Sequence, residues 1–566
     1  MLCAIAAAIL YLPTLGGPAL LEPDEGRYAE IAREMVVSGD DVTPRDDWVR
    51  YFEKPPLVYW ATAGSISAFG SNEFSVRLPA AIFSIGQVAL VAALGEAMFG
   101  ASVGLLAALA LALSSLFFGF AGFATLDPAL AFFLTAAMAA FYRAVQSREA
   151  SVSSRRWLRL SAAMLALGTL AKGPVAVVLG GAIAIGFMMI ERRWREIARF
   201  PWLSGSIIYS AVVIPWFAIA ESRNPGFLRF FILHEHVQRY LQSTEHGWGP
   251  YFLVIVAIAG TWPWFFFAIS GAFNLLKNEP MEPEDRRSAL IFLMLWFAVV
   301  LIFFSIPRSK LGSYMLPGLP PIAMLAGLGI AGFIATPFAG WKLRSFALIN
   351  LIIAIALATT IALFARRIGA ALVIDGEIAA AAIASVGIFS ALATSRNRPR
   401  LAIAVIAVGV LIASGAGLKA RRDAASFYSY RRLAQVITPY LASGCVLASY
   451  NHFVQSLPFY TGSREAIVGY RGELAPFSDS IDARASFIPN LAALKKLWQS
   501  PLCVVLIANF QDLPTLHRLT PTSVLGCEGK KLALYNRAVM VKPVKFECRN
   551  HARAVAGGAE AETELR

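Results

Sequence analysis

Thirteen apolar windows of spanning length follow one another along the first 420 residues, near 2–20, 77–97, 102–119, 128–145, 158–171, 174–190, 203–221, 251–274, 289–306, 315–335, 345–364, 371–393 and 400–418. Such a window is most stable as a helix across a bilayer, where each backbone N–H and C=O finds its partner inside the segment. The succession therefore specifies a polytopic α-helical membrane protein with about thirteen transmembrane helices. Composition agrees: 57% of residues are hydrophobic and only 15% charged, outside the range of soluble domains. Met1 to Leu20 lacks a charged leading region and a well-placed cleavage motif, so it reads as a first span rather than a signal peptide.

The net charge of +14 would suggest nucleic acid in a soluble protein. Here Arg and Lys gather in short loops, among them Arg148–Arg159, Arg192–Arg199 and Arg396–Arg400. Alternation along the spans puts these loops on one side, which the positive-inside rule makes cytoplasmic. No basic-aromatic recognition module is present, and nucleic acid is excluded as a partner. P-loop, dinucleotide, nucleophile-elbow and HExxH motifs are also absent, so no nucleotide cofactor is expected.

Every unusual polar group falls on the opposite side. A first loop, 21–76, carries Asp24-Glu25 and then Tyr51-Phe52-Glu53-Lys54-Pro55-Pro56. EGRYAEIAREMVVSG reads as an amphipathic helix stopped by Gly39, and PPLVYWATAGSISAFG as a second helix; both are expected at the membrane interface. Asp127 in FATLDPA, Lys172 in LAKGP, the 222–250 loop with His234, His236, Arg239 and His246, and Tyr314 in SKLGSYMLP share that side. Ionisable groups beside a bilayer are retained where water or a charged ligand meets them.

Each motif has two readings. Asp24 and Asp127 can act as bases toward an acceptor, or simply cap the helices they precede. Glu53-Lys54, fixed by two prolines, suits a phosphate or metal phosphate, or an interfacial salt bridge. One of His234 and His236 with Glu53 can form a partial divalent-metal site. Lys172, Arg239 and Tyr314 offer positive charge and a hydroxyl to an anion.

From about residue 420 the pattern changes. CVLASY, REAIVGY, LCVVLIANF and KLALYNR read as strands separated by helix-like stretches, a small α/β domain over 420–548. Residues 549–566 are small and charged and are expected to be disordered. Cys445, Cys503, Cys527 and Cys548 permit two disulfides or four reduced thiols. The domain reading is thus 1–419 for the transmembrane part, including the 21–76 loop, followed by 420–548 and the tail.

The motifs DEGRYAEIAREMVVSGDDVTPR, YFEKPPLVYWATA, FATLDP, LAKGP, HEHVQRY and SKLGSYMLP, in that order between about residues 20 and 320, resemble the lipid A aminoarabinose transferases. These are relatives within the protein-mannosyltransferase superfamily of the GT-C fold. Residues 340–566 resemble them only in general architecture. The resemblance implies a glycosyltransferase of the bacterial inner membrane with its C-terminal domain in the periplasm. It implies a polyprenyl-phosphate-linked sugar as donor, and lipid A or another envelope molecule as acceptor. It places Asp24 and Asp127 in the catalytic cavity. Lys54, Arg239 and Tyr314 would hold the lipid phosphate, with Arg27, Tyr28, Tyr51 and Lys172 bordering the cavity. Glu53 and His234, or His236, would bind a divalent metal such as Zn, Mg or Mn. Rival readings are a protein O-mannosyltransferase-like enzyme, a transferase of another sugar, and a lipid-linked-sugar flippase. A flippase would spread ionisable groups through its spans.

Overall fold

The computed structural model describes residues 1–146, 152–193, 201–239, 247–277, 283–336, 340–368, 370–396, 398–480, 483–516, 519 and 522–537. The chain forms two compact units. One comprises Met1–Leu15, Glu53–Val58 and Arg77–Arg421; the other Gly16–Phe52, Tyr59–Val76 and Arg422–Arg566.

The first unit is all helical. Among the described residues eight helices are long and apolar enough to cross a membrane, and ten spans result if each of two bent pairs is one. The windows at 2–20 and 174–190 fall on short helices, Leu2–Tyr11 and Val175–Ile190, and that at 158–171 on Val152–Lys172, which begins in charged residues. Two windows that look continuous in sequence are broken. Phe252–Thr261 and Trp264–Leu276 meet at 95°, where Pro263 removes a backbone donor. Ala101–Ala112 and Ser115–Ala121 meet at 68°. Helix Asp127–Gln146 is central, with 83% of its apolar window buried, against 17% for Trp202–Arg223. The apolar face that the latter leaves uncovered is the kind that lipid solvates. Aromatic rings fill the centre: Phe141, Tyr142 and Phe187 gather round Phe292, which packs on Trp296.

The second unit joins the first loop to the C-terminal domain. Its sheet has the order β5-β4-β3-β6-β8-β7. Here β3 is Val446–Tyr450, β4 Glu465–Val468, β5 Phe487–Ile488, β6 Val504–Asn509, β7 Ser523–Glu528 and β8 Lys531–Tyr535. Strands β3 to β6 are parallel, while β7 and β8 add an antiparallel edge. Helices cover both faces. Leu433, Ile437 and Leu457 pack against one face, Leu494 and Trp498 against the other. Cys445 and Cys503, just before β3 and β6, form a disulfide; Cys527 is also disulfide-bonded, and Cys548 lies outside the described residues.

Helix Asp24–Ser38 forms where the sequence predicts it and ends at Gly39, whose φ of 67° closes it in the left-handed region. It is no interfacial helix with one dry face. Every residue from Glu25 to Met35 is buried, because its polar residues find partners inside the unit. Arg33 forms a two-bonded pair with Glu30, and Glu34 accepts the Trp48 N–H. That N–H belongs to a hairpin of β1 (Arg45–Asp46) and β2 (Val49–Arg50). The second predicted loop helix is Leu57–Phe69.

Candidate active site

In the first unit, the acidic and basic motifs converge. Glu235 and Arg239 stand one turn apart at the end of a π-helical stretch, Phe230–Gln238, a wide turn that recurs at functional sites. Arg239 Nη1 donates to Glu235 Oε2 at 2.8 Å and to Glu53 Oε2 at 2.7 Å. Lys54 Nζ donates to the Glu53 carbonyl at 3.1 Å and faces Glu235 Oε2 at 3.5 Å. An ammonium can donate three bonds. Lys54 is therefore under-supplied with acceptors, and burial pulls its pKa down despite Glu53 and Glu235.

A second knot forms around the FATLDP, LAKGP and SKLGSYMLP motifs. Lys172 donates to Asp127 Oδ1, and its Nζ lies 4.7 Å from the Tyr314 ring centroid. Gly173 has φ 96°, and a Cβ there would come within 2.5 Å of His236 Nε2. The glycine thus seats the imidazole, whose Nδ1 is 2.7 Å from the Phe231 carbonyl. Burial keeps the His236 pKa below its ordinary value. The Lys172 charge also acts on Lys54, so the two knots are one electrostatic neighbourhood. Three cations and three carboxylates meet there.

His234 stands at the exposed rim of that neighbourhood. It is 57% exposed, is stacked on Phe230, and has Nδ1 3.4 Å from Glu235 Oε1. Among the described residues no three of His, Cys, Asp and Glu are grouped to hold a metal ion. The Glu53 carboxylate already holds the Arg239 guanidinium where a cation would bind, so the residues as placed do not fit the metal expected there. His246 lies outside the described residues.

The second unit assembles the other expected residues. Arg27 is buried. Its Nη2 pairs with Glu473 at 2.6 Å and its Nη1 approaches Asp24 at 3.3 Å. Its Cζ lies 5.7 Å from the Tyr51 ring centroid and 6.0 Å from that of Tyr28. The Gln455 amide oxygen accepts from Arg27 Nη2 at 3.1 Å. The adjacent acids of the DEGRY motif divide the work. Glu25 is buried and accepts the Leu21 N–H at 3.1 Å, closing the helix start. Asp24 keeps 39% of its side chain exposed. Glu22 accepts the N–H groups of Gln455 at 3.1 Å and Ser456 at 2.8 Å.

Two functional candidates have no place in the sequence-level set. Glu235 was visible between the two histidines at helical spacing to Arg239, a signal that the histidines overshadow. Glu473 sits in a short turn after β4 with no motif around it.

Comparison with known proteins gives this geometry a family. Residues 1–231 match the family model of dolichyl-phosphate-mannose-protein mannosyltransferases, and residues 433–536 that of the aminoarabinose transferase C-terminal domain. An undecaprenyl phosphate-α-4-amino-4-deoxy-L-arabinose arabinosyl transferase of Pseudomonas fluorescens is 33% identical over 326 residues, 57% of this chain and 56% of its own. That of Erwinia tasmaniensis is 34% identical over 340 residues, 59% and 60% of the two chains. The matched stretch thus spans less than two thirds of these relatives. The crystal structure of ArnT from Cupriavidus metallidurans bound to undecaprenyl phosphate superposes with a TM-score of 0.83 at 25% identity, covering 96% of this chain and 99% of that one. The chain is ArnT-like in fold over nearly its whole length and in sequence over more than half of it. As an ArnT-like protein it is a multi-pass protein of the inner membrane with its C-terminal domain facing the periplasm, in keeping with the disulfide found there.

Proposed function

We propose that this ArnT-like protein is a glycosyltransferase that moves 4-amino-4-deoxy-arabinose from undecaprenyl phosphate to a lipid A-like acceptor at the periplasmic face. The observation that carries the reading is Lys54: a half-buried ammonium short of acceptors, beside Arg239, with Lys172 near enough to act on it. A phosphate supplies the missing oxygens, and its charge is most strongly felt where water is excluded.

In the reaction, the bond between the sugar's anomeric carbon and the donor phosphate oxygen breaks as an acceptor oxygen attacks from the opposite face, with inversion. The electron pair leaves on undecaprenyl phosphate, whose charge Lys54 and Arg239 neutralise as it develops. Arg239 is positioned by Glu53 and Glu235. Asp127 is engaged by Lys172, so its role is to aim that ammonium and not to take a proton. An acceptor phosphate is already anionic and needs only positioning.

The test is reconstituted transfer with purified full-length protein, donor and lipid A, read by mass spectrometry. Wild type should add one aminopentose. K54A should lose transfer by about two orders of magnitude or more, with the protein still folded. Near-wild-type transfer by K54A, or none by the wild type, rules the reading out.

A further inference from the structure

The strand order of the C-terminal domain locates a second site. Chain order runs β3, β4, β5, β6, but β4 lies on one side of β3 and β6 on the other. The chain leaves β3 toward helix Ser456–Thr461, whose Leu457 packs on one face of the sheet. It leaves β6 toward Leu513–Leu516, whose Leu516 packs on the opposite face. The two exits part at the carboxyl ends of neighbouring parallel strands. Open α/β sheets bind ligands in the crevice so formed.

The side chains at this crevice are Asn451 and His452 after β3, with Asn509 and Asp512 at the end of β6. They touch one another loosely. Asn509 Nδ2 lies 3.4 Å from His452 Nδ1 and 3.3 Å from Asp512 Oδ2, and Asn451 Nδ2 lies 3.5 Å from Asp512 Oδ1. These are weak bonds that leave amide and carboxylate capacity unspent. Among the described residues no Arg or Lys side chain pairs with Asp512, whose carboxylate repels an anion, although the Lys531 charge acts on His452. Two amides and a carboxylate suit the vicinal hydroxyls of a sugar ring. The same loop after β3 runs on to Gln455 and Ser456, which receive Glu22 and, through Gln455, Arg27. The crevice therefore adjoins the loop residues that hold Glu22 and Arg27.

We propose that this crevice is a saccharide-binding subsite that holds the sugar headgroup of the acceptor through Asn451, Asn509 and Asp512. Its assignment to the acceptor rests on the transfer reading above; the binding of a saccharide does not.

The experiment is saturation-transfer NMR on full-length protein in nanodiscs, with a soluble β-1,6-linked N-acetylglucosamine disaccharide as probe. Wild type should label the ring protons. D512N, which keeps the shape of the side chain, and N509A should each weaken binding about fivefold, the worth of one hydrogen bond. The K54A protein should bind the probe as wild type does. Absence of labelling in the wild type, or equal labelling in D512N and N509A, overturns the site. Excess lipid A should displace the probe; a probe that stays bound overturns the acceptor assignment. Failure of transfer by wild type would sink the transferase reading and leave the labelling result standing.

Discussion

Arg239 holds two carboxylates with one nitrogen, Glu53 at 2.7 Å and Glu235 at 2.8 Å, so the orientation of its planar fork is fixed by both. A lysine there would keep the charge and lose the fork. R239K is therefore expected to lower kcat/KM for the donor about tenfold or more in the reconstituted assay, while the thermal melt stays near wild type. Full activity in R239K would mean that charge alone matters at this position. Most of this neighbourhood was legible as short motifs, because Glu53-Lys54, LDP, LAKGP and Tyr314 each place a polar group at the end of an apolar run. The choice between His234 and His236 was not legible. It depends on the π-helical turn, which directs His236 against Gly173 and leaves His234 exposed. Glu473 was illegible for another reason: its partner Arg27 lies at the far end of the sequence.

Helix Asp24–Ser38 shows what periodicity misses. Its apolar stripe of Tyr28, Ile31 and Met35 is real, yet the polar side is buried as well, because Arg27 and Glu34 have partners, Glu473 and the Trp48 N–H, that only the folded unit brings to them. The same crowding explains Gly26, whose Cβ would lie 2.7 Å from the Ser456 backbone nitrogen. Backbone cannot swing aside as a side-chain tip can, so G26A should destabilise this unit by about 1–3 kcal/mol. Hydrogen exchange in 446–468 should accelerate in that variant; unchanged protection there would refute the packing argument. Strands β3, β4, β6 and β8 were readable from their β-branched and aliphatic runs. Strand β5 has two residues, too few for any period, and β7 contains Gly526 and a register shift that obscure its alternation. The broken spans were read as continuous because hydropathy is blind to a bend between two apolar halves.

The second unit carries an unusual store of buried acid. Burial raises the Glu465 pKa to about 8 and that of Glu528 to about 7, from an ordinary 4.5. Asp46, Asp47 and Glu22 shift in the same direction for the same reason. Between pH 4.5 and 8 the folded unit thus holds protons that the unfolded chain releases, and stability falls as pH rises through that window. His452, whose pKa burial lowers to about 3, works in the opposite sense, but only below its ordinary value of 6.5, and Lys531, also lowered by burial, is one base set against five acids. The melting temperature of the unit should therefore drop between pH 6.5 and 8.5, as followed by hydrogen exchange in the C-terminal domain; a rise over that interval would contradict the burial of these acids. The division of the chain into two units was only half readable. The change of pattern near residue 420 marks the start of the domain, while nothing in the sequence assigns residues 16–52 and 59–76 to it. That assignment has a consequence in time. The ribosome makes residue 52 long before it makes residue 422, and at the usual rate of synthesis the interval is roughly 20–70 s. Throughout that wait Glu22, Gly26 and Arg27 stand translocated without their eventual neighbours, so quality control in the periplasm meets an unfinished loop in every molecule, and the last quarter of the chain decides whether the first tenth is ever completed.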